Sequence, residues 1–144
     1  DDVKNGTYTI YPAVNQNYAL DVSGGSKSNC ANIQVYTSNG TNAQKWRVTH
    51  DSKGYLTLTN VGSGKVLDVN GAATANGTNI QQYDSNSSKA QKWIGIRQSD
   101  GSIVLISALD SQKCIDLSSG QAVNGANVQL YGSNGTKAQR WVFH

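Results

Sequence analysis

The sequence predicts an all-β domain of twelve short strands, built from three copies of one unit that close on one another with threefold pseudosymmetry. Three observations carry the prediction. A four-residue phrase ending in tryptophan recurs three times at nearly constant spacing. Strong helix formers are scarce: the acidic residues are nine aspartates with no glutamate, methionine is absent, and Gly, Ser, Thr and Asn abound. Asn-Gly turn signals punctuate the chain at Asn39-Gly40, Asn70-Gly71, Asn76-Gly77, Asn124-Gly125 and Asn134-Gly135.

The repeat is the strongest signal. Trp46, Trp93 and Trp141 lie 47 and 48 residues apart and end the phrases Ala43-Gln44-Lys45-Trp46, Ala90-Gln91-Lys92-Trp93 and Ala138-Gln139-Arg140-Trp141. Upstream, at the same spacing, stand Leu20-Asp21-Val22, Leu67-Asp68-Val69 and Ile115-Asp116-Leu117. Between them run Asn32-Ile33-Gln34-Val35-Tyr36, Asn79-Ile80-Gln81-Gln82-Tyr83 and Asn127-Val128-Gln129-Leu130-Tyr131, followed at one offset by Asn39, Asn86 and Asn134. The units span approximately residues 6–52, 53–99 and 100–144 of a single domain, 1–144.

Each unit offers four strands between turn-rich segments. In the first they are Thr7–Tyr11, Tyr18–Val22, Ile33–Tyr36 and Lys45–Val48. The second gives Tyr55–Asn60, Lys65–Val69, Ile80–Tyr83 and Lys92–Ile96, and the third Ser102–Ser107, Lys113–Leu117, Val128–Tyr131 and Arg140–Phe143. The run Tyr55-Leu56-Thr57-Leu58-Thr59 alternates with period two, which places its leucines on a buried face. A unit this short cannot cover its own apolar face and needs its copies, as an open stack or a closed ring. An open stack calls for distinct terminal repeats, whereas here the outer units match the middle one at every marker. A ring also removes exposed strand edges. Val22, Val69, Leu117 and the three tryptophans are the expected core.

Composition narrows the function classes. Charged residues make up 15% of the 144, and the net charge is +3. The twelve Lys and Arg are scattered singly, which argues against nucleic acid as a partner. No apolar run reaches the roughly 18 residues of a membrane helix. The chain opens Asp1-Asp2 without a signal peptide, and we expect a secreted, bacterial protein or a module cut from a longer chain that carries a catalytic or anchoring domain. Cys30 and Cys114, 84 positions apart, are not a disulfide framework, and their spacing does not decide whether they meet; two unpaired or buried thiols is the preferred reading. His50 and His144 are the only histidines and neither neighbours a cysteine, so no metal or cofactor is expected.

The recurring polar residues need a separate reason, because the apolar positions alone build the core. Asp21, Asp68 and Asp116 sit at strand ends, where Asp caps turns. Gln44, Gln91 and Gln139, two residues before the tryptophans, suit a bond to backbone within the unit. Tyr36, Tyr83 and Tyr131 each precede a polar loop, and Gln34, Gln81 and Gln129 lie two residues earlier on the same strand face. A ring beside a carboxylate and amides is sugar-binding chemistry. The ring stacks on the C–H face of a pyranose, Asp accepts from hydroxyls, and Asn and Gln donate and accept. Each such hydrogen bond contributes about 0.5–1.5 kcal/mol net, so one shallow site is weak.

Leu-Asp-Val, Gln-x-Tyr and Gln-x-Trp, three times in register over nearly the whole chain, resemble the ricin B-type β-trefoil lectins and the related trefoil carbohydrate-binding modules of glycoside hydrolases. The resemblance implies a twelve-strand β-trefoil with one carbohydrate site per unit: Asp21, Gln34, Tyr36, Asn39 and Gln44; Asp68, Gln81, Tyr83, Asn86 and Gln91; Asp116, Gln129, Tyr131, Asn134 and Gln139. In the family, Asp and the residue matching Asn39 or Gln44 hold ring hydroxyls while the aromatic stacks. Two features depart from the pattern. Ala43, Ala90 and Ala138 stand where the family often has Asn, removing one hydroxyl ligand. The family's paired cysteines are missing: Cys114 matches one, but its partner near Gly132 is absent, and Cys30 matches none.

The expected function is non-catalytic, multivalent binding of glycans or polysaccharide, with galactose and N-acetylgalactosamine favoured and binding lost on Asp→Ala in all three units. Two alternatives are a xylan- or arabinan-binding module of a glycoside hydrolase, and a protein-interaction trefoil without sugar binding. An enzyme is disfavoured. A glycosidase needs two carboxylates within roughly 5–9.5 Å, and each marked Asp lies in a different unit. A Ser-His-Asp arrangement finds no histidine in any repeated motif.

Overall fold

The computed structural model describes residues 2–144. The first repeat forms β1 (Gly6–Pro12), β2 (Tyr18–Val22), β3 (Ile33–Thr37) and β4 (Lys45–His50). The second forms β5 (Leu56–Asn60), β6 (Val66–Val69), β7 (Thr78–Tyr83) and β8 (Trp93–Arg97), and the third β9 (Ile103–Ser107), β10 (Lys113–Leu117), β11 (Ala126–Gly132) and β12 (Trp141–Phe143). All twelve expected strands are present, with every end within two residues of its expected place. Six one-turn 3-10 segments, unmarked by the strand and turn signals, follow β2, β6 and β10 and precede β4, β8 and β12.

The first and last strands of each repeat build a closed antiparallel barrel. Around it β1 pairs β4, β4 pairs β5, β5 pairs β8, β8 pairs β9, β9 pairs β12 and β12 returns to β1. The two middle strands of each repeat form a hairpin: β2 with β3, β6 with β7 and β10 with β11. These hairpins cap one end of the barrel and join through β11, which pairs both β3 and β7. This is the β-trefoil, and ring closure leaves the barrel no free edge.

The side-chain period explains the burial. In β5, Leu56 and Leu58 are buried while Thr57 and Thr59 are half-buried on the other face. Trp46, Trp93 and Trp141 are fully buried with Val22, Val69 and Leu117, as expected of the core. Trp46 donates its indole N–H to the Leu20 carbonyl at 3.1 Å, and Trp141 donates to Ile115 at 3.2 Å. The indole N–H of Trp93 has no partner among the described residues.

Polar side chains lock the three hairpins together. The Asn79 amide donates to Asn32 Oδ1 at 2.8 Å, Asn32 to Asn127 at 2.9 Å and Asn127 to Asn79 at 2.9 Å, a cyclic triangle with one residue per repeat. A second set passes from each repeat to the next. Asn29 is bonded to Asp84, Asn76 Oδ1 accepts the Gly132 N–H at 2.8 Å, and Asn124 Oδ1 accepts the Thr37 N–H at 2.7 Å. These asparagines recur at spacings of 47 and 48, so periodicity alone could have marked them. The residue after each is left-handed: Gly77 at φ 88°, Gly125 at φ 85° and, in the first repeat, Cys30 at φ 70°. Cys30 is thus an L-residue in a conformation its two counterparts meet with glycine.

Neither cysteine is bridged: Cys30 is exposed and Cys114 is buried on β10. Burial, with the neighbouring Asp116 carboxylate second, pushes the Cys114 thiol up to about 12, so it stays protonated at neutral pH.

Candidate functional site

Each hairpin builds the same floor. Antiparallel register sets Asp21 directly across from Gln34, Asp68 from Gln81 and Asp116 from Gln129. In each pair the glutamine amide donates to Asp Oδ1 at 3.0 Å. The chain then runs through the loop holding Asn39, Asn86 or Asn134 and turns back in a 3-10 segment, Asn42–Gln44, Lys89–Gln91 or Lys137–Gln139. That turn carries the glutamine of the Gln-x-Trp phrase beneath the aspartate. Gln44, Gln91 and Gln139 donate to the other carboxylate oxygen at 2.9 Å. The same amide nitrogen also donates to a backbone carbonyl, of Thr37, Asp84 or Gly132 respectively. The side-chain carbonyl accepts the backbone N–H of Asn39, Asn86 or Asn134 at 2.9 Å.

Two of the glutamine sets therefore differ in what they reach. Gln44, Gln91 and Gln139 are 1–2% exposed, fully bonded, and line no cleft. They tie strand, loop and carboxylate into one unit. Gln34, Gln81 and Gln129 line the clefts beside their aspartates. The aspartates are only 5–6% exposed, yet each lines its cleft, and among the described residues no cation pairs with any of them. A carboxylate has roughly four acceptor positions, and the amides occupy one on each oxygen. The remaining lone pairs are held in a fixed orientation.

Three clefts open above these floors, with cavity volumes of about 710, 300 and 500 Å³ in repeats one, two and three. Tyr36, Tyr83 and Tyr131 stand on the walls with Asn39, Asn86 and Asn134. Tyr36 is 41% exposed and Tyr131 39%, leaving their rings available for stacking. Asn39 Oδ1 accepts the Thr41 N–H and hydroxyl, Asn86 Oδ1 the Ser88 N–H, and Asn134 Oδ1 the Thr136 N–H and hydroxyl. These bonds fix the loop and leave the asparagine amide nitrogens as donors.

The opposite wall escaped sequence reading. It is the 3-10 segment after the aspartate strand, and it turns through paired left-handed residues: Gly24-Gly25, Gly71-Ala72 and Ser119-Gly120. Only Gly24-Gly25 offered a glycine pair to read; Ala72 and Ser119 carry no such signal. In the second repeat, just after Tyr83, the Lys65 ammonium, 2.8 Å away, and the Asn29 amide hold the Asp84 carboxyl below the usual carboxylate range. The other two repeats have Thr37 and Gly132 at this position.

The chain matches the model of the ricin-type beta-trefoil lectin domain-like family over residues 1–83, 42–131 and 89–144. Among solved structures it resembles the designed threefold-symmetric protein ThreeFoil at 33% identity and a TM-score of 0.92, over 96% of this chain and 98% of that one. The Rhizoctonia solani agglutinin is 27% identical, with a TM-score of 0.88 over 99% and 96% of the two chains. An exo-beta-1,3-galactanase from Clostridium thermocellum, 1,3Gal43A, is 29% identical, with a TM-score of 0.91 over 99% of this chain and 31% of that one. No curated protein matches the chain. Its threefold Gln-x-Trp phrase, closed barrel and matching family model together make the chain a member of the ricin-type β-trefoil lectin domain family.

Proposed function

We propose that this chain is a non-catalytic carbohydrate-binding domain with one site per repeat, taking galactose- or N-acetylgalactosamine-type sugars. One observation carries the reading: in all three clefts a buried carboxylate, held by two amides and paired with no cation among the described residues, faces a space walled by a tyrosine. Asp21, Asp68 and Asp116 accept sugar hydroxyls. Gln34, Gln81 and Gln129 hold those carboxylates from the cleft side, with Asn39, Asn86 and Asn134 as donors at the rim. Tyr36, Tyr83 and Tyr131 stack on the ring face. Gln44, Gln91 and Gln139 act through the aspartate they orient. The likeness to part of a galactanase supports the galactose-type sugar. The three carboxylates lie one per cleft, which is poor geometry for glycoside hydrolysis. Three sites on one rigid body give avidity for polysaccharide and glycan-coated surfaces, which fits a secreted protein or a module of a longer chain.

The test is a glycan array followed by titration calorimetry, with the intact protein and a Tyr36→Ala, Tyr83→Ala, Tyr131→Ala variant. The rings stand on the cleft walls, so this variant is expected to stay folded and lose binding. Full binding by the variant would overturn the site assignment. Recognition of xylan or arabinan alone would replace the sugar. Silence of the intact protein on the array, with capture of a protein partner, would establish the interaction-trefoil reading instead.

A further inference from the structure

The three clefts share a floor but differ in volume, and the largest and the third differ at one equivalent backbone position. Strand register places Asn60 opposite Trp46, Ser107 opposite Trp93 and Pro12 opposite Trp141. One residue on, Val61, Ala108 and Ala13 donate their N–H groups to the carbonyls of Lys45, Lys92 and Arg140, the residues just before those tryptophans. The next position is therefore equivalent in all three repeats. It is Gly62 in the lining of the first cleft and Val14 in that of the third, while Leu109, its counterpart for the second, packs against the core. Val14 and Leu109 are partly buried and pack against the core, and Val14 also lines the third cleft. Gly62 has no side chain, and it lines the largest cleft together with Asn42 and Asn60. Its N–H is already bonded to Asn60 Oδ1 at 3.0 Å and to the Asn42 carbonyl at 3.2 Å, which fixes the gap in place.

We infer that the first cleft is an extended site that accommodates a second sugar unit, so that it selects oligosaccharides, whereas the second and third clefts take single terminal sugars. The inference rests on the carbohydrate reading above and adds a ligand class for one site. The extra unit lies over Gly62, against the backbone at Asn42 and Ala43. A Cβ at Gly62 would come within 3.2 Å of Asn60 Oδ1, 3.3 Å of the Asn42 carbonyl carbon and 3.4 Å of the Ala43 nitrogen. A side chain there crowds Asn60, Asn42 and Ala43, all of which line the first cleft, and forces that wall to shift. Gly62 has no left-handed φ, so its role is one of space rather than of backbone conformation.

Single-site proteins test this. Tyr83→Ala with Tyr131→Ala leaves the first cleft alone; Tyr36→Ala with Tyr83→Ala leaves the third. Each is titrated with galactose against lactose and with xylose against xylobiose. The first-cleft protein is expected to prefer the matching disaccharide about tenfold, and the third-cleft protein to show a ratio near one. Adding Gly62→Val to the first-cleft protein should bring its ratio to about one. Adding Val14→Gly to the third-cleft protein, a change that removes bulk and crowds nothing, should raise its ratio toward ten. Equal affinity for monosaccharide and disaccharide at the first cleft overturns the inference and leaves the carbohydrate reading intact, as does a Val14→Gly ratio that does not move. Failure of the intact protein to bind any of the four sugars or the glycan array overturns both.

Discussion

The floors and the rims of the clefts obey different rules. The floors are near-copies: all three aspartates accept from two glutamines at 2.9–3.0 Å, and all three buried glutamines close the same loop. The rims diverge, with Gly62 lining the first cleft where Val14 lines the third, and with Ser23 lining the first, Asn70 the second and Ser119 the third from the turn that follows each aspartate strand. An unmatched buried polar group is costly, so a change in a floor that leaves a neighbour unsatisfied is penalised. Rim groups fall back on water and can change singly. The repeat therefore keeps its bonded polar groups in the floor and its variation in the rim.

The largest expected effect is on the floor itself. Asp68→Ala leaves the Gln81 and Gln91 amides facing an empty place, and about 2–4 kcal/mol of stability should be lost in urea unfolding. An Asp→Ala change in all three repeats would confuse lost binding with lost fold, which makes the tyrosine variants the cleaner probe. Gln91→Leu should cost about 1–3 kcal/mol, because the Asn86 N–H and the Asp84 carbonyl lose their partner. A loss no larger than that of an exposed substitution would show that the floor is not where stability resides.

Loop and rim changes should run smaller. Cys30→Gly restores the residue found at Gly77 and Gly125, and a gain of about 0.5 kcal/mol is expected after the extra freedom of glycine in the unfolded chain is allowed for. A loss would mean that the Cys30 side chain has packing that its exposure does not suggest. Tyr36→Ala should alter stability least, within about 0.5 kcal/mol, while removing binding at the first cleft. A large fall in thermal stability would blur the division between floor and rim.

Much of this was legible beforehand. The repeat and its turn dipeptides marked out the strands, period-two alternation marked β5, and the register of the three phrases named the core tryptophans. Asp21 and Gln34 could be grouped from the repeat, since both belong to one recurring hairpin. The part played by Gln44 was only half visible. Its place before Trp46 suggested a local bond, but that it reaches the carboxylate depends on a 3-10 turn folding the loop beneath β2. The wall at Ala72 and Ser119 was not legible, because their left-handed backbones follow from the turn and not from residue type.

By itself the sequence determined the repeat, the strand pattern, the core and the recurring polar residues, because these are properties of spacing and side-chain chemistry along one chain. Only the tertiary structure decided which residues of neighbouring repeats meet. Gly62 in the second repeat lines the cleft of the first, and Val14 in the first repeat lines the cleft of the third. Such pairings arise from barrel closure, which brings together positions tens of residues apart that no local period links. The floors were thus written into the repeat, while the shapes of the clefts were set by the contacts between its copies.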